Sequence, residues 1–233
     1  MNGIPLILEN QLKSIDSGGL DVRRRYMLVL ADVVASTDMA PDRRAAAFGR
    51  LDEAIQDLNR RFAHDLALPL TRAYGDEVAG LLLHHEPGLE ILDALRESLH
   101  PDGTLRCVIA AGQIGVPSTD IRRVGGEVFK KADEEIRQLG ARNGFFSCLL
   151  DEEVVSLALT ALVNTANALI ERMTPYQRSV WRLAKQGLAQ REIAERLGKF
   201  AQSVSDAARR AAIDTVVAAE NAAKELLSKS FQR

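Results

Sequence analysis

Hydrophobic and polar positions divide the chain into two stretches with different periods. In the first, short apolar runs alternate with amphipathic segments. In the second, only helical spacing recurs. About twenty residues containing Asp16, Ser17, Gly18 and Gly19 come first and read as a loosely held arm. Tyr26 to Val34 is then an unbroken apolar run rich in β-branched residues, which predicts a buried central strand. From Pro41 to Asp65, Phe48, Leu51, Ile55, Leu58 and Phe62 recur at three- and four-residue spacings. That is the single apolar stripe of a helix lying on a sheet, opened by Pro41 in its first turn. Pro69–Tyr74 and Val78–Leu83 read as two short strands joined through Gly75-Asp76, a hairpin with a tight polar turn. A helix over Leu89–Leu99, a strand over Leu105–Ile114, a helix over Val124–Leu139, a turn at Gly140–Gly144 and a strand over Phe145–Leu150 complete this part.

The order β-α-β-β-α-β-α-β predicts an α+β sandwich, with helices over a sheet that contains an antiparallel hairpin. From Asp151 onward the pattern is helical throughout. The organisation expected is an N-terminal arm (1–25), an α/β domain (26–150), a linker helix (151–172) and an all-α domain (173–233) with a long last helix.

Composition narrows the classes. With 233 residues, 46% of them apolar, the chain can bury a substantial core. No run reaches the roughly 18 consecutive apolar residues of a membrane span, and the first residues lack the basic region and cleavage site of a signal peptide. Cys107 and Cys148 sit in apolar runs without metal-binding spacing, as reduced core thiols of a cytoplasmic protein would. The near-neutral total, −2, hides an asymmetry. Residues 1–171 hold 18 basic and 26 acidic side chains, a net of −8, whereas 172–233 hold 12 and 6, a net of +6. An acidic body with a basic end is the layout of a sensor or enzyme domain carrying a nucleic-acid module.

Two carboxylates stand out by position. Asp32 interrupts the apolar central strand, which is costly unless it is paired, hydrogen-bonded or bound to a cation. Asp76 lies in the hairpin turn beside Glu77. If the first strand neighbours the hairpin, the two converge at one sheet edge, an arrangement suited to Mg2+ or Mn2+ bridging a nucleotide's phosphates. The alternative is that Asp32 caps the turn before Ser36 or Thr37 and Asp76 is a plain turn residue.

LADVVASTDM resembles the first metal-binding motif of class III nucleotidyl cyclases, and RAYGDEVAGLL resembles their second, a hairpin whose Gly-Asp supplies the other ligand. The hairpin is also similar to the Gly-Asp-Glu-Phe turn of diguanylate cyclases. RCVIAAGQIGV and GGEVFKKADEEI resemble the later cyclase strand and helix, so that Tyr26–Leu150 as a whole is similar to the SatD family. The resemblance implies a cyclase-like (ferredoxin-like) sandwich with Asp32 and Asp76 as metal ligands and Gly75 as the hairpin glycine. Ser36, Thr37, Arg72, Lys130 and Lys131 are its nucleotide contacts. The Asn and Arg that hold ribose and transition-state charge in cyclases align with Lys130 and Glu134, and an acid cannot stabilise that charge. The resemblance therefore implies binding rather than turnover.

In the helical end, Thr174 and Pro175 open a helix ending near Gln186 and Gly187, followed by a short helix over Gln190–Leu197, a turn at Gly198–Phe200 and a helix from Ala201 that runs on toward Leu227. The stretch LAQREIAERLGKFAQSVSDAARRA resembles the helix-turn-helix of the LuxR and sigma-factor region-four type. By that resemblance the helix from Ala201 reads double-stranded DNA. Gln202, Ser203 and Ser205 face base edges, while Arg209, Arg210, Gln190, Arg191 and Lys199 serve as phosphate contacts. Asp206 detracts from this surface. A homodimer formed by the long last helix or the linker helix would supply two half-sites.

Two functions follow as expectations. One is a DNA-binding transcriptional regulator whose cyclase-like body binds a nucleotide or metal-nucleotide or mediates dimerisation. The other is a metal-dependent nucleotidyl cyclase or related phosphoryl-transfer enzyme recruited by its helix-turn-helix. A body serving assembly alone predicts neither metal nor nucleotide binding.

Overall fold

The computed structural model describes residues 19–34, 39–73, 75–142 and 144–230. The first part of the predicted arm, Ser36, Thr37, Tyr74 at the end of a predicted strand, and Asn143 in a predicted turn lie outside them. The chain divides into two compact units between Ser156 and Leu157.

The first unit contains β1 (Arg25–Val34), α1 (Pro41–Arg61), β2 (Leu66–Arg72), β3 (Glu77–Leu82), α2 (Gly88–Leu99), β4 (Thr104–Gln113), α3 (Glu127–Ala141) and β5 (Phe146–Leu149). The five strands form one mixed sheet in the order β2-β3-β1-β4-β5. β1 is antiparallel to both β3 and β4, β2 is antiparallel to β3, and β5 is parallel to β4. It follows that β1-α1-β2 and β3-α2-β4 are two interleaved parallel pairs, each with a strand of the other between its members. The central strand is the apolar run seen in the sequence.

Strand alternation sends Tyr26, Leu28 and Leu30 into one core with Leu81, Val108, Ala110 and the α3 residues Val128, Ala132 and Leu139. Met27, Val29, Ala31 and Val33, on the opposite side of the strand, are buried as well. α1 packs on α2, and α2 on β4 and β1. Complete burial of residues such as Leu28, Leu51 and Ile91 stabilises the unit by roughly 1.5–3 kcal/mol each. Gly80 lets β2 close on β3, because a Cβ there would stand 2.6 Å from Leu70 Cδ2.

Element boundaries depart from expectation where backbone bonds favour another partner. α1 stops at Arg61 rather than Asp65, because the Asp65 carbonyl accepts the Leu83 N–H (2.7 Å) and already belongs to the hairpin. β2 therefore starts at Leu66, ahead of Pro69. α3 starts at Glu127 rather than Val124. The residues before it form a 3-10 turn, Ile121–Arg123, whose Arg122 N–H is accepted by Asp120.

The second unit comprises most of α4 (Glu153–Ile170), then α5 (Pro175–Ala184), α6 (Gln190–Leu197), α7 (Ala201–Arg210) and α8 (Ile213–Ser230). Ala166, Ile170, Val180, Trp181, Ile193, Ala194, Val204, Ala208, Ile213 and Val216 form its core. Thr174 caps α5 as expected, accepting the Gln177 N–H while the Gln177 side chain takes the Thr174 N–H. The expected continuous last helix is broken. Ala212 has φ +50, so the chain turns there and α8 starts afresh at Ile213. α4 is long and apolar enough to cross a membrane by length and composition, and it is mostly exposed.

Candidate functional site

Each unit carries one polar constellation of its own. In the first, strand register creates the arrangement. Asp32 stands opposite Glu77 on β3 and opposite Arg106 on β4, so the three lie in one row across adjacent strands. Alternation places that row on the face covered by α3. The hairpin tip is tied to the same spot, since the Asp76 carbonyl accepts the Val33 N–H at 3.1 Å.

The electrostatics are those of crowded, partly desolvated acids. Burial, then repulsion from Asp76, raises Asp32 above the ordinary carboxylate range, opposed by Arg106, whose guanidinium stands 3.7 Å away. Burial also raises Glu77, followed by repulsion from Asp133, Asp32 and Asp76. Asp133 of α3 is raised by partial burial and lowered by Arg137.

Glu77, Arg106 and Asp133 were not picked out by sequence reasoning. Strand alternation marks the first two only once pairing is known. Asp133 follows the buried Ala132 on α3 and lies near Glu77. On the late helix, Asp133 is the acid that raises Glu77. Lys130, Lys131 and Glu134 line a separate groove of about 360 Å³ with Glu127, Glu135 and Leu149.

Gly75 and Arg72 are brought together. With Met39, Pro41, Arg44, Ala45 and Phe48 they line a cleft of about 660 Å³ between the hairpin and the start of α1. Arg72 lies over the Phe48 ring, 5.0 Å from its centroid, and pairs with Asp52 at 3.3 Å. Gly75 has φ +69, a left-handed conformation that glycine adopts without strain. Ser36 and Thr37 are outside the described residues. Among the described residues no group of three His, Cys, Asp or Glu side chains is placed to hold a metal ion. Two carboxylates completed by phosphate oxygens and water remain a usual magnesium arrangement, and the raised acids are what a cation would relieve.

In the second unit, α6 and α7 are joined by Gly198, Lys199 and Phe200. Gly198 closes α6 with φ +61, and Lys199 N–H returns to the Ala194 carbonyl at 2.9 Å. Ile193, Ala194 and Val204 are buried, while Lys199 to Ser203 form a continuous exposed strip. Gln190, Arg191, Arg209 and Arg210 are exposed and Ser205 is half-buried. Asp206 organises this surface. It accepts hydrogen bonds from Arg209 (3.2 Å) and Gln202, and both hold its carboxyl below the usual range. Arg191 pairs with Glu195 along its own helix. Behind the strip, α8 is fixed to α5 through Glu220, which accepts from Trp181 Nε1 and Lys185 Nζ, each at 3.2 Å.

No family model matches the chain, and no curated protein matches it. Among solved structures it is similar to a regulator of polyketide synthase expression from Bifidobacterium adolescentis, with 14% identity and a TM-score of 0.27 over 96% of this chain and 91% of that one. A likeness that low bears on neither fold nor function.

Proposed function

We propose that the protein is a DNA-binding transcriptional regulator whose second unit is a helix-turn-helix and whose first unit is a cyclase-like, ferredoxin-like sandwich of the SatD type that takes a nucleotide. The observation that carries the reading is the α6–Gly198–α7 corner. A left-handed glycine and small buried side chains bring two short helices together, and the leading end of the second presents Lys199, Gln202 and Ser203 to solvent. α7 is the reading helix. Arg191, Lys199, Arg209 and Arg210 neutralise phosphates, and Gln202, Ser203 and Ser205 are in position for base edges. A homodimer supplies the second half-site; a monomer by sedimentation at working concentration would remove that part.

The full-length protein should shift duplex DNA carrying its preferred site, with an affinity that falls steeply with salt. Gln202→Ala should relax sequence preference, whereas Arg210→Ala should weaken all duplexes alike. Failure to retain any sequence from a randomised duplex pool at low salt would overturn the reading.

A second reading has its own support in the partly desolvated acids Asp32 and Glu77, next to the hairpin turn that carries Asp76. In it Asp32 and Asp76 hold Mg2+ or Mn2+, which neutralises the phosphates of a nucleotide lying against Arg44, Arg72 and Gly75. The position that aligns with the charge-stabilising Arg of cyclases is Glu134, an acid, so binding without turnover is favoured. Calorimetry with nucleoside triphosphates and Mg2+ checks binding. Triphosphate consumption lost in Asp32→Ala would instead establish an enzyme.

A further inference from the structure

Phe200 breaks two local rules at once. It is 84% exposed and is the one exposed phenylalanine among the described residues. Its aromatic area therefore contributes nothing to the folded core. It also occupies the N-cap of α7, where Ser, Thr, Asp or Asn would stabilise the helix by accepting an N–H, and it makes no side-chain cap bond. Its backbone is nonetheless held in place. With φ −73 and ψ 143, its carbonyl accepts the N–H groups of Ser203 (2.9 Å) and Val204 (3.3 Å). Departures from local consistency of this kind concentrate at functional positions.

The neighbours specify the partner. Phe200 lies between Lys199 and the exposed first turn of α7, Ala201, Gln202 and Ser203. The local environment is thus a cation and hydrogen-bonding groups around one apolar ring, on a segment with twice as many basic as acidic residues. A polyanion with apolar features in its groove fits that set. In a major groove the apolar feature presented by bases is the thymine 5-methyl group.

We infer that Phe200 is a specificity-determining residue, packing its ring against a thymine methyl at the leading end of the reading helix. This rests on the helix-turn-helix reading and adds to it a base and a contact that the polar residues do not supply. Burying one methyl is worth about fourfold in affinity.

The test uses the full-length protein and duplexes selected by it from a randomised pool, with each thymine replaced in turn by uracil, which differs only in the methyl. Wild type should lose about fourfold at one thymine in each half-site. Phe200→Ala should bind the thymine and uracil duplexes equally at that position, while Phe200→Leu should keep part of the preference. Because the side chain is exposed, the thermal unfolding of Phe200→Ala should match wild type. Wild type indifferent to every thymine-to-uracil change, or Phe200→Ala retaining the full methyl preference, would overturn the assignment and leave the DNA reading standing. Phe200→Ala weakening all duplexes alike would place the ring on the sugar-phosphate backbone and likewise overturn it. A pool in which no duplex is retained would remove the DNA reading, and this assignment with it.

Discussion

Asp32 and Asp206 show how one residue type does opposite work in the two units. Asp32 is held in a partly desolvated row with Glu77 and Asp76 near, so its protonated form is favoured. For an acid whose folded pKa lies above its unfolded value, the contribution to stability is present below the unfolded value and lost as pH rises through the folded one. Asp32→Asn should therefore raise the urea midpoint of the ligand-free first unit at pH 7, with the gain shrinking as pH falls toward 4. Equal midpoints at both pH values would contradict the repulsion described here. Asp206 is solvated and ion-paired, and in the proposed DNA reading it competes with base edges for Gln202 and with phosphates for Arg209. Asp206→Asn should tighten binding to all duplexes several-fold and reduce discrimination, as read by fluorescence anisotropy across salt concentrations. The sequence exposed both aspartates as anomalies, one in an apolar strand and one on a basic helix. It did not reveal the groups around Asp32, because Glu77 and Arg106 meet it only through strand register.

At the level of elements, the corners matter most. Gly198 has φ +61 with open space where a Cβ would stand. Gly198→Ala therefore meets no clash and should cost only the left-handed backbone term, about 1–2 kcal/mol, as a lower urea midpoint. The Glu220 bridge joins α8 to α5 and is nearly buried. Glu220→Ala leaves the indole N–H and the Lys185 ammonium without that acceptor, and should destabilise the second unit by about 2 kcal/mol. Helix and strand identity in these regions was legible from spacing, whereas the ends were not. α1 yielded its last residues to the hairpin ladder and α3 its first to a 3-10 turn, because backbone groups bond to whatever neighbour the tertiary fold supplies. The break at Ala212 was invisible for the same reason. An alanine-rich stretch predicts helix, and only the packing of Ile213 and Val216 into the second core requires the chain to turn there.

The two units report separately on themselves. Trp181 is the chain's single tryptophan and belongs to the second core, while Cys107 and Cys148 are buried in the first, their thiols pushed up to about 12 by desolvation. At pH 8 neither thiol should react with a thiol reagent in the folded protein, and both should react in denaturant. Glu220→Ala should lower the midpoint followed by Trp181 fluorescence and leave the midpoint followed by thiol labelling in place. A shift of both together would show that the units unfold as one.

The amino-acid order determined what depends on near neighbours along the chain: the apolar central strand, the helical stripe on α1, the capping of α5 by Thr174, the glycine corner between α6 and α7, and the division of charge between the two stretches. These follow from periodicity, conformational preference and composition, each set within a few residues. Tertiary structure decided what depends on distant parts meeting. Strand register aligned Glu77, Asp32 and Arg106 in a row. The seating of α3 brought Asp133 close enough to act on Glu77 in that row. The packing of the second core left Phe200 outside it. Register, seating and exposure are settled by which surfaces exclude water together, a property of the assembled fold that no local window of sequence contains.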